Sequence, residues 1–153
     1  MDIEWVFKGF EQLTLHQLYA LLQLRSEVFV VEQNCVFLDM DDKDQESYHL
    51  MGFSKVELIA YTRIVPPGVI YDEVSIGRVI TSPAARRNGS GKILMQQSID
   101  TVYDLYGAVP IKIGAQLYLK SFYQSFGFVQ QGEMYLEDGI EHIYMLKAVE
   151  VST

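Results

Sequence analysis

The stretch Arg86-Arg87-Asn88-Gly89-Ser90-Gly91 follows an apolar run, Val74 to Thr81, that Pro83 cannot continue. It precedes a segment in which Met95, Ile99, Val102 and Tyr106 recur at i, i+4, i+7 and i+11, one face of an amphipathic helix. The order is therefore strand, glycine loop, helix. Such a loop presents unpaired backbone N–H groups and the positive end of a helix dipole, which together bind phosphate oxygens. Glycines let that backbone come close, and Arg86, Arg87 and Lys92 add positive charge to an otherwise acidic chain. A glycine-rich turn with solvated arginines would read the same way. Two other phosphate-binding loops can be excluded on spacing. A Walker A loop would need glycine where Arg86 stands and Ser or Thr where Ile93 follows Lys92. A dinucleotide fingerprint would need its third glycine at Leu94.

Upstream of the loop, Trp5 to Phe10 reads as an edge strand. Thr14 followed by Gln17 has capping-box spacing, with Leu13 and Leu18 placed as a hydrophobic staple. Leu15, Leu18, Tyr19, Leu22 and Phe29 keep helical spacing from there to the cluster Val28-Phe29-Val30-Val31. An irregular acidic segment from Asp39 to Glu46 reads as a solvated loop that could attract a cation. It lacks the glycine and the final Glu of an EF-hand. Tyr48 to Phe53 and Val56 to Ile64 form a hairpin turning near Ser54-Lys55, and Pro66-Pro67-Gly68 ends it.

Downstream, Ile111 to Ala115 is a short strand. Leu119, Phe122, Tyr123 and Phe126 make a helix that Gly127 caps. Phe128 to Tyr135 and Ile140 to Val149 are strands around an Asp138-Gly139 turn, a strong hairpin signal. The sum is an α/β domain with one mixed sheet.

Composition sets the outer limits. The chain has 153 residues, 49% hydrophobic and 12% aromatic, enough for the core of one domain over residues 1–153. No apolar run is long enough to span a bilayer, and the acidic start Met1-Asp2-Ile3-Glu4 does not resemble a signal peptide. The single cysteine, Cys35, is read as a small buried hydrophobe; it precludes an internal disulfide and a cysteine-based zinc site, which suits the cytoplasm. A net charge of −8 opposes general affinity for nucleic acid or anionic membrane and suits a cationic amine.

The stretch from Ile76 to Leu94 resembles the acyl-CoA-binding motif of the GNAT N-acetyltransferase superfamily, with Gly89 and Gly91 at the family's glycines. Phe122-Tyr123-Gln124-Ser125-Phe126-Gly127-Phe128 resembles a second element near the end of GNAT domains. Leu24-Arg25, Val28 to Gln33, Ser75 to Val79, Gly114-Ala115-Gln116 and Glu137 to His142 are similar to the ElaA branch, so the resemblance covers nearly the whole chain. It implies a largely antiparallel central sheet of about six to seven strands flanked by about four helices.

The resemblance also implies chemistry. An amine attacking a thioester needs a neutral nucleophile, a stabilised oxyanion and a proton for the departing thiolate. The family binds acyl-CoA without metal: its pantetheine along Val79, Ile80 and Thr81, its pyrophosphate at Arg86 to Lys92 (Arg86, Arg87, Asn88, Gly89, Ser90, Gly91, Lys92). Tyr123 matches the tyrosine proposed to protonate the thiolate, although it also shares a helix face with Leu119 and Phe126 as a core aromatic would. Gln116 stands where many members carry an asparagine near the cofactor. Glu32, His49 and His142 are candidates for the base, each with a structural role as the alternative; Arg78 is expected to contact a substrate carboxylate or to pair with an acid inside the sheet. The expected activity is transfer of acetyl from acetyl-CoA to a small-molecule or peptide amine, by a monomer or homodimer. A non-catalytic acyl-CoA sensor, or a longer acyl donor, would carry the same motifs.

Overall fold

The structure, a computed structural model, describes residues 2–149. Strand β1 (Glu4–Gly9) leads through a 3-10 turn to helix α1 (Leu15–Arg25), which runs on as a π-helical stretch, Ser26–Glu32. The hairpin β2 (Tyr48–Ser54) and β3 (Glu57–Val65) is followed by β4 (Ser75–Thr81), helix α2 (Ser90–Tyr106), β5 (Ile111–Gln116), helix α3 (Lys120–Gln124), β6 (Phe128–Glu137) and β7 (Ile140–Lys147). Among the described residues the seven strands stand within the expected range, beside three α-helices and the π-helical stretch that continues α1.

Local chemistry explains several of these boundaries. Thr14 Oγ1 accepts the Gln17 amide at 3.0 Å while Gln17 Oε1 accepts the Thr14 amide at 3.0 Å, the reciprocal pair expected of a capping box. Leu21 and Leu24 of α1 and Val28 of the π-helical stretch are buried, with Leu18, Leu22 and Phe29 of the expected stripe packed partly buried against them, whereas Leu15 is 85% and Tyr19 72% exposed. Packing against Met51, Tyr61 and Ile80 draws on leucines of both sets and leaves Leu15 and Tyr19 outside. Asp138 (φ 51°) and Gly139 (φ 78°) form the turn of the β6–β7 hairpin, with both central residues left-handed as a two-residue loop of that hand requires.

The strands are largely antiparallel, as expected, and divide into two groups ordered β1-β2-β3-β4 and β5-β7-β6. They touch through one parallel bridge, Val74 to Ile111, where the Lys112 amide donates to the Val74 carbonyl at 3.0 Å. Beyond it β4 and β5 part. The cause lies in β4: Tyr61 pairs with Ile80 and Arg63 with Gly77, so Arg78 and Val79 together oppose Thr62 as a β-bulge. Arg78 adopts φ 48° there, a left-handed conformation disfavoured for a residue with a Cβ. A core of Ile64, Ile76, Met95, Ile99, Val102, Ile113 and Met145 unites both sheets with α2, so the divergence opens on one side of a packed body.

Candidate active site

Arg78 is held in its strained conformation by a buried charge cluster. Its Nε donates to Asp39 at 2.8 Å and its Nη2 to the Asp39 carbonyl at 2.7 Å. Asp39 also accepts from Arg25 Nε at 2.7 Å, Asp44 accepts from Arg25 at 2.7 Å and Arg63 at 3.0 Å, and Asp41 takes both terminal nitrogens of Arg63. The segment around Asp39 to Glu46 is therefore not a solvated, cation-attracting loop: Asp39 and Asp44 are buried, and three arginines offset three aspartates. Burial alone would raise the carboxyls, but the hydrogen bonds and charge of Arg63 hold Asp41 down at about 2, and those of Arg25 and Arg63 lower Asp44. Of the two roles expected for Arg78, the geometry is that of pairing with an acid.

His49 belongs to the same cluster and does not reach the cleft. Fully buried, it meets the Tyr61 hydroxyl at 2.6 Å through Nδ1 and donates to the Asp44 carbonyl at 2.9 Å through Nε2, and burial lowers its pKa. Both nitrogens are engaged inside the protein, so it cannot receive a proton from a substrate amine.

The divergence of the sheets leaves a cleft of about 920 Å³ lined by β4, by Ile113 to Gln116 of β5, by the end of the π-helical stretch and by the β6–β7 hairpin. Val79, Ile80, Thr81, Arg86, Gln116, Tyr123, Glu32, His142 and Arg78 all line it. The Ser82 amide donates to Ile59 of β3 at 2.8 Å, so strand alternation turns the peptide groups of Thr81 to the open edge. Consistent with this, Arg86 Nη2 donates to the Thr81 carbonyl at 3.3 Å. Arg86 also pairs with Glu32 at 2.7 Å, a half-exposed contact that ties a candidate base to the loop.

Arg87 to Lys92 stand beyond the lining, at the start of α2. Gly89 adopts φ 73° immediately before the helix, and Gly91 faces the Phe122 ring, 3.9 Å from where a Cβ would sit, so the two glycine-containing motifs meet in space. The Ser90 hydroxyl is spent on the Ala85 carbonyl at 2.8 Å, leaving its backbone for a ligand. Nothing stands within 4 Å of a Cβ built at Gly89, so Gly89→Ala meets only conformational strain. It is expected to cost about 1–2 kcal/mol, read as a shift in the midpoint of urea unfolding.

Tyr123 on α3 is buried yet lines the cleft, with its ring against Phe122 and Phe128. Burial, with Tyr118 beside it, pushes its phenol up, so the proton is retained throughout the neutral range. Gln116 pairs in register with His142 across β5 and β7 and donates weakly to Gln33 at 3.4 Å. His142 donates from Nδ1 to the Ile140 carbonyl at 2.8 Å and sets Nε2 3.4 Å from Glu137. Cys35 is half-buried and lines the cleft, donating to the Asp138 carbonyl at 3.5 Å, so it is not the buried hydrophobe expected.

The model of the acetyltransferase (GNAT) domain matches residues 27–149. The chain belongs to the GNAT family. Among its GNAT relatives, protein ElaA of Escherichia coli is 45% identical over 149 residues, 96% of this chain and 97% of ElaA. The ElaA crystal structure matches with a TM-score of 0.89 at 44% identity, covering 95% of this chain and 99% of ElaA. An acyl-CoA N-acyltransferase from Pseudomonas aeruginosa matches with a TM-score of 0.92 at 42% identity, covering 96% and 100%. A GNAT acetyltransferase from Elizabethkingia anophelis with acetyl-CoA bound shares the fold at a TM-score of 0.64 and 15% identity, over 96% and 98%. No described helix is long and apolar enough to cross a membrane.

Sequence reasoning missed part of this GNAT cleft: Tyr71, Tyr135, Tyr144 and Glu137 all line it. The signal was present. An Asp138-Gly139 turn pairs Glu137 with Ile140, and counting back sets Tyr135 opposite His142, with Tyr144 on the same face.

Proposed function

We propose that this GNAT protein is an acetyl-CoA-dependent N-acetyltransferase in which a small-molecule or peptide amine attacks the thioester directly, in a ternary complex, over a single domain of residues 1–153. The observation that carries the reading is the open edge of β4, which leads to the helix start at Gly89 while Tyr123 lines the same cleft. The cytoplasm, as the source of acetyl-CoA, fits a chain with one unpaired cysteine.

Acetyl-CoA supplies the activated thioester, and the chain's own groups fit it at each end. Backbone amides from Arg87 to Lys92 and the dipole of α2 receive the pyrophosphate, with Arg86 and Lys92 adding charge. The open peptide groups of the Val79 to Thr81 segment substitute for a missing strand along the pantetheine, and one of their amides donates to the oxyanion. Tyr123 gives its proton to the departing thiolate. The amine proton leaves through His142 or Glu32, directly or by way of a water. Gln116 and Arg78 shape the cleft rather than react, since Arg78 is already committed to Asp39.

The test is release of free thiol from acetyl-CoA in the presence of a panel of amines. Turnover with at least one amine is expected. Tight CoA binding by calorimetry with no acetyl transfer to any amine would replace this reading with that of an acyl-CoA sensor.

A further inference from the structure

Three tyrosines converge at the end of the cleft remote from the loop. Tyr135 stacks on Tyr144 with centroids 4.4 Å apart, and Tyr71 meets Tyr144 edge-on at 5.9 Å. They come from different parts of the chain: Tyr71 from the segment before β4, Tyr135 from β6 and Tyr144 from β7. What lets them meet is Gly114 of β5. A Cβ there would stand 3.0 Å from the Tyr135 hydroxyl and 3.1 Å from that of Tyr71, so both phenols close over bare backbone. Glu137 stands on the same hairpin; its carboxylate lies 3.4 Å from His142 Nε2, and its charge acts on the phenols of Tyr71 and Tyr135.

The cluster already receives a cation. Lys112, which does not line the cleft, places Nζ 5.1 Å from the ring centroids of both Tyr71 and Tyr144. Tyr135 and Glu137 face the cleft itself. Burial raises the phenol of Tyr71 to about 12 and pushes that of Tyr135 further, so the rings stay neutral and electron-rich toward a cation. Of the basic side chains that line the cleft, Arg63 and Arg78 are held by Asp39, Asp41 and Asp44, Arg86 pairs with Glu32, and Lys43 belongs to the aspartate-bearing segment, not to the β6–β7 hairpin that carries Tyr135 and Tyr144.

We infer that Tyr71, Tyr135 and Tyr144, with the carboxylate of Glu137, form the acceptor subsite, and that it takes a primary alkylammonium group whose adjacent carbon bears no carboxylate. The inference rests on the N-acetyltransferase reading and names its substrate class: a polyamine-like amine or a lysine-type side chain rather than the α-amine of a free amino acid. The ammonium docks against the rings and Glu137 and gives one proton to His142 or, through water, to solvent. The neutral nitrogen then attacks the thioester carbonyl. As the new C–N bond forms and the C–S bond breaks, the thiolate leaves and takes its proton from Tyr123, and the second proton shed by the nitrogen as it becomes an amide returns through water to the Tyr123 phenolate.

Binding of n-pentylammonium and of norleucine, the same chain with an α-carboxylate, tests this by saturation-transfer NMR on the full chain, with and without CoA. The wild type is expected to bind n-pentylammonium and to bind norleucine at least about tenfold more weakly. Tyr135→Leu and Glu137→Gln are each expected to weaken n-pentylammonium about tenfold, while CoA affinity stays within twofold. Equal affinity for the two probes, or unchanged n-pentylammonium affinity in both variants, overturns the inference even where CoA binds. Failure of CoA to bind overturns the proposed function alone, because the ammonium measurement does not need CoA. Tyr135→Phe keeps the ring and is expected to bind like the wild type, which separates a ring effect from loss of fold.

Discussion

Tyr123→Phe is expected to lower acetyl transfer by about 100-fold or more while leaving CoA affinity and the unfolding midpoint close to those of the parent. The substitution keeps the ring that packs against Phe122 and Phe128 and removes only the hydroxyl. Among the described residues no protein group hydrogen-bonds that hydroxyl, so its loss orphans nothing. The magnitude follows from the proton it carries. A free phenol near ~10 facing a thiol near ~8.5 already makes the transfer uphill, and burial of Tyr123 steepens it. On the proposed reading, the donor acts in concert with C–S cleavage, and the alkaline limb of the rate profile should not reflect its ionisation below pH ~10. Turnover unchanged in the variant, at saturating amine, would remove Tyr123 from the mechanism.

Asp44→Ala is expected to destabilise the fold by about 3–5 kcal/mol, measured by urea unfolding, because it leaves the buried guanidinium groups of Arg25 and Arg63 without a shared counter-charge. The same cluster sets the acid response. Asp41 and Asp44 have lowered folded values, so their contribution is complete above the ordinary carboxylate pKa and is lost as pH falls through the folded ones, for Asp41 from about 4 toward about 2. His49, also lowered, resists protonation when folded but accepts it when unfolded, so stability begins to fall below about 6.5, ahead of the carboxylates. Unfolding free energy measured from pH 8 to pH 3 should decline in these two stages. A flat profile between pH 7 and pH 5 would contradict the assignment of His49 as neutral and buried.

Much of the fold was legible because the signals were local. The Thr14–Gln17 box, the Asp138-Gly139 turn and the stripe of α2 each depend on residues close in sequence and stand where their neighbours predict, while α3 ends earlier than expected, with Ser125 as its C-cap and Gly127 left-handed two residues on. The division of the sheet was not legible, since a bulge at Arg78-Val79 is stabilised by carboxylates some 39 residues earlier in the chain. For the same reason the acidic segment read as solvated: nothing in its own sequence names the arginines that bury it. His49 shows the limit of reading titratable side chains from resemblance, because only packing reveals that both its nitrogens are occupied. Glu32, His142, Gln116 and Tyr123 do line one cleft, but the tyrosines beside them required strand register to find.

The bridge between Val74 and Ile111, which joins the two sheets, has a consequence for redesign. On the proposed reading, the groups that grip the donor belong to the first sheet and the start of α2, whereas two of the three rings that receive the acceptor belong to the hairpin of the second. Grafting a different β6–β7 hairpin, with Tyr71 adjusted to match, would retarget such a transferase to a new amine without retooling its grip on acyl-CoA.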